Sequence, residues 1–331
     1  MLSGTTEDFF VRRTFLATAV LIAAFAASEA SAQSWPTRPI RAVIPFGAGS
    51  ATDLVPRIVF DQLSPALGQP IVVENRTGAG GTLGSNIVAK ADPDGYTLLA
   101  HSNALSVSPA IYASLPYDTE KDFAPIAPFG ALAAVLIISP AKGYKTIRDM
   151  VAAAKANPGA FNFGSVGVGS GTHLSAEKFK LAAGFEATHV PFRGGPEALT
   201  EVITGRIDFY FCPINTALPY IREGKLVALV TNGAERAPEL PDVPTTLEAG
   251  YQRADFPIWI GLLAPARTPA AVIDRLNAET IKAVGTPATR ERLAKAGIAP
   301  LVMTPADFAA RIKAEIADNI EVVRAAGIKP N

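Results

Sequence analysis

Three glycine-rich loops constrain this chain more than any other feature, because each leaves an apolar strand-like run and enters an amphipathic helix. They are Phe46-Gly47-Ala48-Gly49-Ser50, Thr77-Gly78-Ala79-Gly80-Gly81 and Gly167-Val168-Gly169-Ser170-Gly171-Thr172. Strand, glycine turn, helix is the repeating step of an open α/β sheet, and such turns sit at the carboxyl ends of the strands, where ligands bind. A glycine turn lets a ligand approach the backbone, and the helix that follows offers unpaired N–H groups and the positive end of its dipole. Three such turns in one chain point to an anion site.

The surrounding pattern agrees. Short apolar runs at 41–45, 71–74, 96–100, 135–139, 161–164, 189–191, 207–211 and 226–231 read as strands. Amphipathic stretches at 54–67, 82–90, 147–156, 172–183 and 196–204 read as helices between them, the first with Val55, Val59, Leu63 and Leu67 on one face and Gly68 as a stop. This alternation predicts parallel sheets covered on both sides. After Thr231 the texture changes: 237–245 reads as a polar, proline-containing loop, 259–264 as a strand, and 306–325 as a closing helix with Phe308, Ile312, Ile316 and Val323 on its apolar face.

The nature of the anion is narrowed by what the loops lack. No Lys follows any of them as a phosphate loop requires. The second loop superficially matches a dinucleotide fingerprint, but it lies second in the chain and has no acidic residue at the end of the next strand for a ribose. A carboxylate held by backbone amides and Ser/Thr hydroxyls fits better. Ser50 and Asp53 have capping-box spacing. With Ser50 as cap, Pro56 falls in the second turn; with Asp53 as cap, it falls in the tolerated first turn. In either arrangement Asp53 is expected to order the loop. Thr146 and Asp149 form a second capping box.

Catalytic equipment is sparse. Among 331 residues there are three histidines and one cysteine, Cys212, so neither an intramolecular disulfide nor a cysteine-based zinc cluster can form. No nucleophile elbow occurs, Ser175-Ala176-Glu177-Lys178 lacks the companion motifs of a β-lactamase, and His173 and His189 have no metal-ligand spacing. His173 reads as a structural histidine on a helix's first turn. His101, at a strand end beside Ser102, stands closer to a ligand position, and Trp35, Trp259 and Cys212 read as packing residues. No catalytic residue, metal site or cofactor is expected. Thirty basic against thirty acidic residues leave no footprint for nucleic acid.

Residues 1–32 read as an address. Arg12 and Arg13 precede an apolar run at 15–27, too short for the roughly 20 residues of a membrane span, and Ala30-Ser31-Ala32 supplies a cleavage pattern. Arg12-Arg13-Thr14-Phe15-Leu16 also resembles a twin-arginine export motif. The mature chain, from Gln33, is expected to be a soluble periplasmic protein without a membrane anchor.

Beyond these loops the sequence resembles the substrate-binding receptors of tripartite tricarboxylate transporters, the Bug-type proteins. The resemblance is carried by Trp35-Pro36-Thr37-Arg38-Pro39-Ile40, by Pro45 through Asp53, by Glu74-Asn75-Arg76-Thr77-Gly78-Ala79-Gly80-Gly81 and by Pro93-Asp94-Gly95-Tyr96-Thr97-Leu98. It continues through Leu115-Pro116-Tyr117-Asp118, Asp122-Phe123-Ala124-Pro125-Ile126, Phe163-Gly164-Ser165, His173-Leu174, His189-Val190-Pro191-Phe192-Arg193-Gly194 and Leu240-Pro241-Asp242-Val243-Pro244-Thr245. Two departures stand out: Gly49-Ser50 where a Gly-Gly pair is common, and Pro56 where a small helix former is usual. The resemblance implies a type II periplasmic binding fold of two α/β lobes, 33–131 plus 231–331 forming lobe one and 132–230 lobe two. It implies a small organic carboxylate as ligand, held by Phe46, Gly47, Ala48, Gly49, Ser50, Gly78, Ala79, Gly80, Gly81 and Ser102 in lobe one and by Ser165, Gly167, Gly169, Ser170 and Thr172 in lobe two. The partners implied are a large and a small permease subunit, served by a monomeric receptor. A sensor for a signalling partner and a secreted α/β enzyme are the alternatives. Which carboxylate is bound stays open, as do contacts from Arg193 and His101.

Overall fold

Ile40–Ile44 (β1) is an Ile/Val-rich run with almost every side chain buried, as a strand covered on both faces requires. It lies in the first of two sheets in a computed structural model that describes residues 35–192 and 194–329. The expected export segment, residues 1–32, and Arg193 lie outside the described residues. The chain divides after Thr37 into two units, and both sheets belong to the unit that begins at Arg38.

The first sheet has the order β11-β4-β10-β3-β1-β2. Its strands are β1, Ile71–Asn75 (β2), Thr97–Ser102 (β3), Phe123–Leu132 (β4), Ile258–Pro265 (β10) and Ala299–Pro300 (β11). Strand β1 pairs parallel with β2 and β3, whereas β10 runs antiparallel to both β3 and β4. The second sheet has the order β7-β6-β8-β5-β9, from Ala134–Ile138 (β5), Asn162–Ser165 (β6), Thr188–Pro191 (β7), Phe209–Pro213 (β8) and Val227–Thr231 (β9). Here β6 is parallel to β7 and β8, and β5 is antiparallel to β8 and β9. The expectation of parallel sheets is therefore corrected: each sheet contains antiparallel strands, β10 and β11 in the first and β5 in the second.

Helices cover both sheets. Ala51–Leu67 (α1) buries Val55, Val59, Leu63 and Leu67, the stripe read from the sequence, and ends on Gly68 in the left-handed conformation (φ 73°). Its Phe60 meets Phe129 of β4 edge-on at 5.8 Å. Thr82–Ala89 (α2) and Ala104–Ile111 (α3) follow β2 and β3. Ile147–Ala156 (α4) opens on the Thr146/Asp149 capping box, fully formed. Gly171–Ala183 (α5), Gly195–Ile203 (α6) and Ile214–Arg222 (α7) serve the second sheet, and Ala270–Gly285 (α8), Pro287–Lys295 (α9) and Pro305–Ala325 (α10) complete the first. Phe308, Ile312 and Ile316 of α10 pack with Val43, Leu99, Trp259 and Leu263. Burying the Phe308 ring alone contributes about 2–3 kcal/mol. Glu315 of the same helix accepts from Ser106 Oγ (2.9 Å) and Trp259 Nε1 (2.7 Å), fixing α10 to α3 and β10.

The sequence reading did not anticipate β4, α3 and α7. Each carries internal prolines or serines that blur its period; β4 contains Pro125 and Pro128, and its pairing with β10 shifts register twice. Cys212 is buried in the second sheet's core, as expected of a packing residue.

A single residue, Ala133, separates β4 from β5. The return from β9 to β10 is longer. Along it Ala237 and Leu240 join one core of the second sheet, and Ala254 joins the other, with Tyr251 packed against it. That stretch therefore packs with the second sheet, although the sequence reading grouped it with the first. Among the described residues, no helix is long and apolar enough to cross a membrane, and no cluster of His, Cys, Asp or Glu is placed to hold a metal ion.

Candidate functional site

Each glycine loop leaves a strand and enters a helix. The first runs from β1 into α1. Gly49 has φ +82° and Ser50 takes the N-cap position, but Ser50 Oγ makes no cap bond and has no partner. The Asp53 carboxylate stabilises the turn instead. It accepts the Gly49 N–H at 2.9 Å, Arg57 Nε at 3.0 Å and Asn75 Nδ2 at 2.9 Å. Asn75 Nδ2 also donates to the Phe46 carbonyl at 2.9 Å, so Asp53 and Asn75 hold the loop at both ends. Burial of Asp53 would raise its pKa, but the bonds from Asn75, Gly49 and Arg57 outweigh it and hold the carboxyl below its usual range. Pro56 lies inside the helix, so of the two cap placements left open by the sequence, the earlier one is adopted.

The second loop runs from β2 into α2 through the tight turn Ala79–Gly81. Ala79 and Gly80 have φ of 44° and 63°, and Gly81 has φ 98°. The loop packs on the first: a Cβ on Gly84 would stand 2.8 Å from the Arg76 carbonyl oxygen and 2.8 Å from Pro45 Cβ. A Cβ on Gly81 would stand 2.9 Å from His101 Nε2 and 3.4 Å from Phe46 Cζ. The Phe46 and His101 rings meet edge-on at 5.2 Å. His101 is fully buried and its Nε2 has no partner. Desolvation pushes it down to about 4, so it is neutral at pH 7.

The third loop runs from β6 into α5 and is closely self-bonded. Val166 N–H donates to Thr172 Oγ1 (3.1 Å), Gly167 N–H to Ser165 Oγ (3.0 Å), Gly169 N–H to His173 Nδ1 (3.1 Å) and Ser170 N–H to the Gly167 carbonyl (3.2 Å). Ser170 Oγ caps α5 by accepting the His173 N–H at 3.2 Å. Ser165 and Thr172 are buried, and their hydroxyls build the loop. Among the backbone bonds of the described residues, the N–H groups of Gly47, Ala48 and Val168 have no acceptor.

The second and third loops each touch one of two neighbouring residues. At the carboxyl end of α3, the Tyr112 hydroxyl would lie 2.5 Å from a Cβ on Gly80, and Ile111 Cγ1 would lie 3.2 Å from a Cβ on Gly169. Gly171, the first residue of α5, faces Ile258 Cδ1 (2.6 Å from its would-be Cβ) and Asn103 Oδ1 (3.9 Å). Loops from two different sheets therefore abut one short stretch of the first. Ser102, at the end of β3 just before α3, is buried, its hydroxyl 3.4 Å from the Ala104 nitrogen. Asn75, Asn103, Ile111, Tyr112 and His189 were not singled out for this region from the sequence. Only Asn75 carried a signal, since it ends the strand beside β1.

Fold and loops together describe an α/β periplasmic binding protein with glycine turns gathered from both sheets. Residues 55–328 match the family described as tripartite tricarboxylate transporter family receptor, and the chain belongs to that family, one of solute-binding receptors rather than enzymes. Protein BugT of Bordetella pertussis is 34% identical over 317 residues, covering 95% of this chain and 96% of its own. Among solved structures, MatC of Rhodopseudomonas palustris with bound malate superposes with a TM-score of 0.75 at 33% identity, covering 87% of this chain and all of its own. An adipate-bound protein of the same organism gives 0.78 at 30% identity, covering 90% and 100%.

Proposed function

We propose that this protein is a periplasmic receptor that captures a small organic carboxylate and delivers it to the large and small permease subunits of a tripartite tricarboxylate-type transporter. Residues 1–32 direct export, and the mature chain acts as a monomer. The two sheets are the two lobes, joined at Ala133 and again between Ala254 and Ile258. The observation that carries the reading is the approach of Gly80 and Gly169, from different sheets, to the adjacent Tyr112 and Ile111. The first and third loops also carry N–H groups, at Gly47, Ala48 and Val168, that have no acceptor among the described residues and are available to an anion. Phe46, Gly47, Ala48, Gly49 and Ser50, with Gly78, Ala79, Gly80 and Gly81, present amides from the first lobe. Gly167, Gly169 and Ser170 shape the opposing turn, Ser102, Ser165 and Thr172 support the site from beneath, and Asp53 keeps the first loop ordered. Malate-bound and adipate-bound relatives support a carboxylate as the captured group.

A thermal-shift screen of mono-, di- and tricarboxylic acids, malate and adipate included, tests this directly. An acid present at one hundred times its dissociation constant adds about 2.7 kcal/mol of stability. A chain stabilised by neutral solutes and by no acid would not be this receptor.

A further inference from the structure

Behind the third loop, two imidazoles lie face to face. The rings of His173 and His189 are 3.8 Å apart at centroid with 15° between planes, and Phe163 stacks on His189 at 4.9 Å. Both histidines bond to the loop. His173 Nδ1 accepts the Gly169 N–H at 3.1 Å, which places the proton of the neutral ring on Nε2, facing Glu177 Oε1 at 3.7 Å. His189 Nε2 lies 2.6 Å from Ser165 Oγ, and that oxygen in turn accepts the Gly167 N–H at 3.0 Å.

We propose that His173 and His189 are positioning residues which, as two neutral acceptors, latch the third glycine loop in its capture shape, and that protonation of the stacked pair unlatches it. The inference rests on this loop belonging to the carboxylate site. A proton on His173 Nδ1 would set two N–H groups head to head and break the Gly169 bond. A proton on His189 Nε2 would turn the Ser165 hydroxyl from donor to acceptor and place a cation against the neighbouring ring. The charged groups facing the pair are Glu177, buried on α5, and Lys180, which donates to Glu177 Oε2 at 3.0 Å and lies over the Phe163 ring. Strands β6 and β7 present Phe163, Ser165 and His189 itself. Burial, then the closeness of His173, push His189 down to about 4 against the pull of Glu177. The latch thus holds at neutral pH and opens in acid.

The test uses the ligand-free protein, so that it judges the latch whether or not any acid binds. In a nitrogen-15 titration from pH 7.5 to 3, His173 should show the Nε2–H tautomer at the neutral end. The Gly167 and Gly169 amides should titrate with the same midpoint as the His189 imidazole. Hydrogen-exchange protection of residues 165–174, corrected for intrinsic rates, should fall at least tenfold across that range. In the double variant His173→Asn with His189→Gln, each replacement keeps a neutral acceptor in reach of the loop, and protection should change less than twofold. Loop amides that ignore the imidazole titration in the wild-type protein would overturn the proposal. A double variant with an unchanged pH profile would overturn it too.

Discussion

Asn232 Oδ1 accepts the backbone N–H of Ala134 at 2.7 Å, tying together the chain's two passages between the sheets. The Asn232 N–H donates to the Ala134 carbonyl, and its Nδ2 reaches Ser175 Oγ (2.8 Å) and the Phe256 carbonyl (3.0 Å). One fully buried amide thus joins β5, α5 and the return segment.

Asn232→Ala removes three side-chain bonds and leaves the Ala134 N–H buried without a partner. At about 1–3 kcal/mol for each stranded buried polar group, the expected loss is about 2–4 kcal/mol. Urea unfolding with an unchanged slope and a lower midpoint checks it.

Glycine to alanine within a helix ordinarily stabilises by up to about 1 kcal/mol. Gly84→Ala should do the reverse, because the new Cβ meets the Arg76 carbonyl oxygen and Pro45, both at 2.8 Å. Separating the first two loops to admit it should cost about 1–3 kcal/mol. A higher unfolding midpoint in the variant would refute this packing.

Gly49→Val addresses the first loop alone. Nothing lies within 4 Å of the would-be Cβ, so no clash follows, but φ +82° is a strained conformation for a β-branched residue. The turn should relax and re-aim the Ala48 N–H, abolishing carboxylate binding in calorimetry while far-ultraviolet circular dichroism stays native.

Asp53→Ala removes the charged acceptor of the Gly49 N–H, of Arg57 Nε and of one Asn75 Nδ2 hydrogen, with an expected loss of about 2–3 kcal/mol and weakened binding. The lowered pKa gives the wild-type protein a distinct acid response. Stability from Asp53 is present above the unfolded value near 3.8 and disappears as pH falls through the lower folded value. The variant should lose that component of acid sensitivity in unfolding curves between pH 5 and pH 2.

His101 acts higher on the pH scale. The unfolded chain takes up its proton near 6.5, whereas the folded chain resists until about 4. The unfolded state therefore binds more protons across that window, and stability falls by up to about 3 kcal/mol as pH drops from 7 to 4. His101→Leu should flatten this part of the profile in urea titrations. An equally steep profile in the variant would place the titrating group elsewhere.

Much of the fold was legible in the chain because its signals are local. The stripe Val55, Val59, Leu63 and Leu67 needs only the helical period, and the Thr146/Asp149 box needs only three-residue spacing. Strand β4 escaped because Pro125 and Pro128 interrupt a run that only its neighbours β10 and β11 turn into a strand. The same limit applied within the loops. Glycine spacing predicted three turns, but no local rule foretold that the third would bond most of its own amides inward, to Ser165, Thr172 and His173.

By itself the sequence determined the strand–turn–helix steps, the sites of the backward-bending glycines and the scarcity of reactive side chains, all consequences of residue type and short-range geometry. Only the tertiary structure decided which turns approach the same stretch of chain, because Ile111 and Tyr112 meet Gly169 and Gly80 through sheet pairing and helix packing between residues far apart in the chain. It also decided that His173 and His189, sixteen positions apart, stack as one unit: β7 lies beside β6, and α5 packs against β6.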